Sequence, residues 1–339
     1  MPTEVNITLS HLDIGFKTRP ADLVLVRNIQ TGVRQGEMVG IIGRNGSGKT
    51  TLIRTLCRLI PGLAGELVFN GRNIRQYTNH ELSKIIGYVS TTQVVLANLN
   101  IFELVSLGRI PHTNWLGSLS GPDMNKIKKA IDLTGLENLK DRKINEISDG
   151  ERQRAMIART LAQDTEFILL DEPTAFLDMI HRYEIIHLLH SLTRPPHNKT
   201  VVFSTHDINI ALQYADKFWI LKDGGMVEGA PEDLVISDEI QCLVADSDVS
   251  FNADTGQFAV SRTGMHDISL CGRECLELRW TARALERLGF NVRYDCNELP
   301  RIFVIKDNIK VNWKLEKNNQ SNDFYNIYDL TLHLRSLTF

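Results

Sequence analysis

Short apolar runs punctuate the first part of the chain, and each stops abruptly in small or charged residues. They are Met38 to Ile42, Ile85 to Val89, Phe167 to Leu170 and Thr200 to Phe203. Phe167 to Leu170 has no polar alternation and predicts a strand buried on both faces, as in a parallel sheet. Leu52 to Ile60 predicts a helix, and Ser148-x-x-Glu151 is a capping box that starts another through Arg159. Past residue 245 the pattern changes. Leu276, Trp280, Ala284 and Leu288 recur at four-residue spacing and predict one face of a helix that Gly289 ends. Arg301 to Lys306 and Ile309 to Lys314 read as strands joined at Asp307-Asn308, and Tyr325 to Leu337 suggests a closing helix. The expected division is an α/β domain over residues 1–245 and a small C-terminal α+β domain over 250–339.

A chain of 339 residues has room for that division. Its net charge of -3 is well mixed, and the densest basic cluster, Lys126, Lys128 and Lys129, is short. Such a cluster is the solvated face of a helix, so no nucleic-acid partner is expected. No apolar run approaches the length of a membrane span, and Met-Pro-Thr-Glu-Val lacks the basic and apolar regions of a leader. A cytoplasmic protein is expected. The 5 cysteines, at 57, 242, 271, 275 and 296, lack paired C-x-x-C spacing and read as free thiols.

The run Met38 to Ile42 leads into Gly43, Arg44, Asn45, Gly46, Ser47, Gly48, Lys49, Thr50 and Thr51, a full G-x-x-x-x-G-K-[ST] phosphate-binding loop. Its glycines permit a tight curl that aims backbone N–H groups at phosphates, and the following helix adds the positive end of its dipole. Lys49 is placed to reach the terminal phosphates, and Thr50 to ligate Mg²⁺. Asp171-Glu172 closes the run Phe167 to Leu170, at the strand end where α/β sheets hold ligands. Asp171 suits orienting Mg²⁺, and Glu172 suits polarising an attacking water as general base.

The string Ile147-Ser148-Asp149-Gly150-Glu151, leading into Arg152-Gln153-Arg154, resembles the signature motif of ATP-binding cassette (ABC) proteins, usually written Leu-Ser-Gly-Gly-Gln. The resemblance implies a P-loop NTPase with a RecA-like α/β core, an antiparallel β flank and a helical lobe at about 94–160. It implies ATP and Mg²⁺ as ligands and a homodimer in which Ser148, Gly150 and Glu151 face the γ-phosphate held by the opposite subunit. Matching the family in order, Phe16 stands where an aromatic ring stacks on adenine, and Gln93 where a glutamine touches Mg²⁺ and the attacking water. Asp178 falls in the loop that crosses the dimer interface, and His206 matches the switch histidine on the γ-phosphate. One departure is Asp149, where the family has glycine. A carboxylate there would repel a facing phosphate, so its side chain is expected to point away.

The stretch between Lys49 and Ser148 is too short for the coiled coil of chromosome-maintenance ATPases, and only one phosphate loop is present. The resemblance therefore implies a separate subunit that docks on integral-membrane permease subunits at the cytoplasmic face, served indirectly by a substrate-binding protein. Val94, Val95, Leu96, Leu99, Ile101, Phe102 and Leu104 are expected in part to receive a permease helix. The run Leu107-Gly108-Arg109-Ile110-Pro111-His112 is similar to ATPase subunits that import ferric siderophores, haem or vitamin B12. Two alternatives stay open: a soluble ABC ATPase serving iron-sulfur assembly, and a non-hydrolytic nucleotide-binding scaffold or sensor. The C-terminal domain carries no catalytic spacing and reads as dimer-stabilising or regulatory.

Overall fold

A computed structural model describes residues 5–91, 98–114, 117–245, 247–253, 255–260, 266–296, 300–307, 310–317 and 320–336. They divide into two compact units, one of Met1–Leu243 with Asn252–Gln257 and one of Val244–Phe251 with Phe258–Phe339. The larger unit is built on two sheets. Its strands are β1 (Val5–Phe16), β2 (Leu23–Arg34), β3 (Met38–Gly43), β4 (Ala64–Phe69), β5 (Arg72–Asn73), β6 (Ile86–Val89), β7 (Phe167–Leu170), β8 (Thr200–Ser204), β9 (Lys217–Lys222) and β10 (Gly225–Gly229). The antiparallel flank runs β2-β1-β4-β5, and the core sheet runs β10-β9-β3-β8-β7-β6. In the core, β9, β3, β8, β7 and β6 are mutually parallel, and β10 closes the edge antiparallel to β9.

The hydrophobic pattern explains both sheets. Every residue of β7 and β8 is buried, so their continuous apolar runs suit a sheet covered on both faces. Strand β1 buries Ile7, Leu9, Leu12 and Ile14 and turns the residues between them outward. Parallel alignment has one consequence for function: β3, β6, β7 and β8 all end at the same edge.

Helices α1 (Lys49–Leu56), α2 (Asn79–Ile85), α3 (Ile101–Ser106), α4 (Gly121–Leu133), α5 (Asp149–Ala162), α6 (Met179–Thr193), α7 (Ile208–Tyr214), α8 (Pro231–Ile236) and α9 (Glu239–Cys242) complete this unit. Helices α3, α4 and α5 share a separate core that includes Ile101, Leu104, Ile127, Ile131, Ala155 and Ala158. Ile101 and Leu104 are fully buried there, which corrects the expectation that they face a partner. Val94, Val95 and Leu96 lie outside the described residues. The run after Leu107 is a clamp on α5. A Cβ on Gly108 would meet the Arg159 carbonyl oxygen at 2.1 Å, so only glycine allows this approach. Arg109 is buried, donates to Asp123 at 2.9 Å and to the Ala162 carbonyl at 2.8 Å, and His112 Nε2 lies 2.9 Å from the Gln163 carbonyl. Hydrogen bonds from Ser120, with the Arg109 guanidinium, hold the Asp123 carboxyl down to about 2.

The smaller unit includes parts of β11 (Val249–Asn252) and β12 (Gln257–Val260), which pair as a two-stranded ribbon. Its main sheet joins β13 (His266–Cys271), β14 (Phe290–Arg293), β15 (Arg301–Lys306), β16 (Val311–Lys317) and β17 (Gln320–Phe324) in the order β14-β13-β15-β16-β17. Helices α10 (Leu276–Arg287) and α11 (Ile327–Ser336) accompany it. The expected hairpin is β15-β16, with its second strand starting two residues later than the pattern suggested.

Two expectations are corrected here. The face of α10 that packs is Leu278, Thr281, Ala282, Ala284 and Leu285, with Leu288 against it, so Ala284 and Leu288 pack as expected whereas Leu276 and Trp280 are more than half exposed. Thr281 belongs inside because its hydroxyl accepts from the buried Trp313 indole at 2.7 Å. Cys271 and Cys296 are not free thiols but a disulfide, with Cα atoms 5.6 Å apart. Parallel pairing of β13 with β14 brings Cys271, the last residue of β13, beside Cys296, just beyond β14, which linear spacing does not reveal. Cys57, Cys242 and Cys275 are free.

Gly108→Ala tests the clamp. Overpacking against the Arg159 carbonyl is expected to cost about 1–3 kcal/mol, read as a lowered unfolding midpoint of the cassette. An unchanged midpoint would show that the lobe absorbs the methyl group without strain.

Candidate active site

The loop after β3 curls because its glycines accept backbone conformations closed to other residues. Gly46 and Gly48 have φ of 80° and 104°, and a Cβ on Gly43 would strike the Ser47 hydroxyl at 2.5 Å. Gly48 caps α1, so the helix N-terminus opens directly onto the loop. Lys49 is buried and folds back over it, donating to the Gly43 carbonyl at 2.8 Å and the Arg44 carbonyl at 3.2 Å. Burial lowers its pKa, and the carboxylates of Glu172 and Asp171 oppose that shift. The Ser47 hydroxyl is buried with no hydrogen-bond partner among the described residues, which suits an anion arriving in the loop.

Asp171 ties the neighbouring elements together. Its Oδ1 accepts from the Thr50 hydroxyl at 3.0 Å and from the Ser204 hydroxyl at 2.8 Å, joining α1, β7 and β8. Its backbone N–H donates to the Val89 carbonyl at the end of β6, and its carbonyl accepts from Thr91. Glu172 adopts φ 49°, a left-handed conformation unusual for a residue with a side chain, and its N–H donates to the Ser204 hydroxyl at 2.9 Å. The turn brings its carboxylate to His206, with Oε1 and Nε2 2.5 Å apart.

Lys49, Thr50, Asp171, Glu172 and His206, expected from widely separated motifs, thus meet at one sheet edge. Gln93, expected to follow β6 into this edge, lies outside the described residues. Phe16 is half exposed at the end of β1, two residues beyond Ile14, whose side chain lies against Gly48. Arg44, Asn45 and Gly46 form the exposed crest of the loop, and Thr51 is buried in α1.

Ser148, Gly150, Glu151 and Asp178 form a second cluster. Ser148 caps α5, and Glu151 returns the contact to the Ser148 N–H at 2.8 Å. That hydrogen bond is the main cause that lowers the Glu151 pKa. Asp149 is drawn along the helix onto Arg152, 2.7 Å away. Asp178 caps α6 and accepts from the His181 N–H at 2.9 Å.

Sequence reasoning missed Ser204 and Thr91. Ser204 carried a signal, a hydroxyl closing an otherwise apolar strand two residues before His206.

A glycine-rich loop between a central parallel strand and a helix, with carboxylates on the neighbouring strand end, defines a P-loop nucleoside triphosphatase. A family model described as ABC transporter matches residues 26–175, and one described as Iron ABC transporter C-terminal domain matches residues 265–335. The probable siderophore transport system ATP-binding protein YusV of Bacillus subtilis is 37% identical over 236 residues, covering 69% of this chain and 84% of the relative. The ferric enterobactin transport ATP-binding protein FepC of Escherichia coli is 34% identical over 233 residues, covering 67% and 86%. Among solved structures, a dimeric bacterial ABC transporter cassette superimposes with a TM-score of 0.59 at 30% identity, covering 66% of this chain and 98% of that one. The chain belongs to the ABC transporter family. It is an ATPase, the ATP-binding subunit of a transporter.

Ser204→Ala removes a hydroxyl that serves Asp171 and Glu172 at once. Leaving those groups short of a partner costs about 1–3 kcal/mol. Steady-state phosphate release is expected to fall about tenfold or more. Wild-type turnover would show that the two acidic residues hold their places without it.

Proposed function

We propose that this ATPase powers import of an iron chelate through a membrane permease, working as a homodimer on the cytoplasmic face. The observation that carries the reading is the meeting of Lys49, Asp171, Glu172 and His206 at one sheet edge, with Ser148 exposed at the start of α5 in a separate cluster where a second copy can reach it. The iron-chelate cargo is supported by the relatives named for siderophore and ferric enterobactin transport and by the iron-transporter C-terminal match. On the helical lobe, Leu107 and Ile110 remain exposed and are apolar positions left for a permease helix.

Backbone N–H groups of Gly46 to Thr51 hold the triphosphate at the α1 N-terminus, with Phe16 against adenine. Lys49 leaves its carbonyl partners for the terminal phosphates. Thr50 and Asp171 offer hard oxygen donors 3.0 Å apart, a set that suits Mg²⁺. Held by these two residues, the ion would offset charge on the phosphates. Glu172 takes the proton of the attacking water, and Gln93 helps to place that water. His206 orients Glu172 and reaches the γ-phosphate. Ser148, Gly150 and Glu151, at the start of α5, close over the ATP of the other protomer, and Asp178 crosses the seam between the two. ATP adds contacts available only in the closed pair, so binding shifts the population towards closure and pulls on the permease.

Glu172→Gln keeps the shape of the site and removes the base. Turnover is expected to drop by about 10² or more while ATP yields a stable dimer in gel filtration. Deletion of the gene is expected to abolish growth on ferric siderophores as sole iron source. A monomeric Glu172→Gln protein with wild-type turnover would contradict the mechanism, and unimpaired growth on every iron chelate would contradict the cargo.

A further inference from the structure

We infer that His181 and Arg182, successive residues in the first turn of α6, are positioning residues that tie the hydrolytic groups of a protomer to the lid it offers its mate. The inference rests on the two-copy reading above. Helix α6 begins immediately after Leu177-Asp178, and its first turn reaches in two directions. Towards α5, the His181 Nδ1 lies 2.9 Å from Asp178 Oδ1, which also accepts the His181 N–H at 2.9 Å. The imidazole then seats on Gly150. A Cβ at that position would come within 2.9 Å of ring atoms Cγ and Cδ2, so glycine is what lets the ring rest on the start of α5. One turn further, Arg154 and Glu184 repeat the link between the same two helices at 2.9 Å.

Towards β8, the Arg182 Nε donates to the Leu177 carbonyl at 2.7 Å, and its Nη1 lies 3.5 Å from Asp207 Oδ2. Asp207 directly follows His206, the residue in contact with Glu172. It also caps α7, its Oδ1 accepting the Ile210 N–H at 3.2 Å, so it is itself held firmly. Phe176, Met179 and Ile180 around this turn are 78%, 71% and 67% exposed. Leu177 between them is buried, so that one apolar anchor and the polar contacts together hold the turn.

The contacts run from Glu172 through His206 and Asp207 to Arg182, and from His181 to Gly150. Glu172 and His206 act on the ATP bound to their own protomer, whereas Gly150 closes over the ATP of the other. A displacement of His206 when the γ-phosphate leaves is passed to the neighbouring lid through two adjacent side chains. The two ATP sites are thereby coupled, which makes hydrolysis cooperative.

The test uses the purified full-length chain and the variants His181→Ala, Arg182→Ala, Arg182→Lys and Asp207→Asn. Three quantities are measured: affinity for a fluorescent ADP analogue, phosphate release against ATP concentration, and thermal midpoint. Affinity is expected to stay within about twofold of wild type, because none of these residues reaches the phosphate-binding loop. The Hill coefficient is expected to fall from about 2 to about 1 in both alanine variants and in Asp207→Asn, with kcat down about tenfold. Arg182→Lys, which retains the charge, recovers part of the cooperativity. A Hill coefficient that stays at the wild-type value in variants of unchanged midpoint overturns the inference, as does a loss that only tracks a lowered midpoint. Non-cooperative wild-type hydrolysis together with a Glu172→Gln protein that ATP fails to dimerise overturns the two-copy reading itself, a result distinguishable from the first.

Discussion

A carboxylate withdrawn from water must be surrounded by donors, and the arrangement of this ATPase follows from how Asp171 meets that demand. Only 2% of the residue is exposed, and one oxygen accepts from both Thr50 and Ser204. Those two hydroxyls sit on different elements, so satisfying one acid fixes the phosphate-loop helix, β7 and β8 relative to each other. Glu172 and His206 inherit their positions from this junction. Glu172 is turned by a backbone conformation that the same Ser204 hydroxyl secures, and His206 stands two residues beyond it.

Charge is distributed with similar economy. Lys49 is buried beside two acids that favour its ammonium, and its fold-back onto backbone carbonyls gives it partners that it can exchange for phosphate oxygens. At the start of α5, the Glu151 carboxylate is occupied by the capping box and Asp149 is paired with Arg152. Both acids are thus engaged within their own protomer, one in the cap and one on Arg152.

Much of this was legible in the chain. Buried parallel strands announce themselves as short continuous apolar runs, and the phosphate loop, acidic strand end and capping box are local patterns with fixed offsets. What escaped depends on contacts between distant segments. The Cys271–Cys296 bond arises from parallel neighbours in a sheet whose order the sequence does not state. The buried face of α10 follows from Trp313 needing an acceptor, which favours Thr281 over the larger Leu276 and Trp280. Gly108 and Arg109 look like a family marker in sequence and prove to be a packing contact with α5. Ser204 went unnoticed because a serine at the end of a strand is commonplace until two acids are found leaning on it.

The central claim is that each ATP is held between the loop of one copy and the capped helix of another. Mixing two inactive proteins tests it most directly: Lys49→Ala, which damages the loop, and Ser148→Phe, which damages the lid. A pair formed from one of each carries both defects at one site and none at the other, so the mixture is predicted to regain ATP hydrolysis that neither protein has alone. A mixture no more active than its separate components would contradict the shared site.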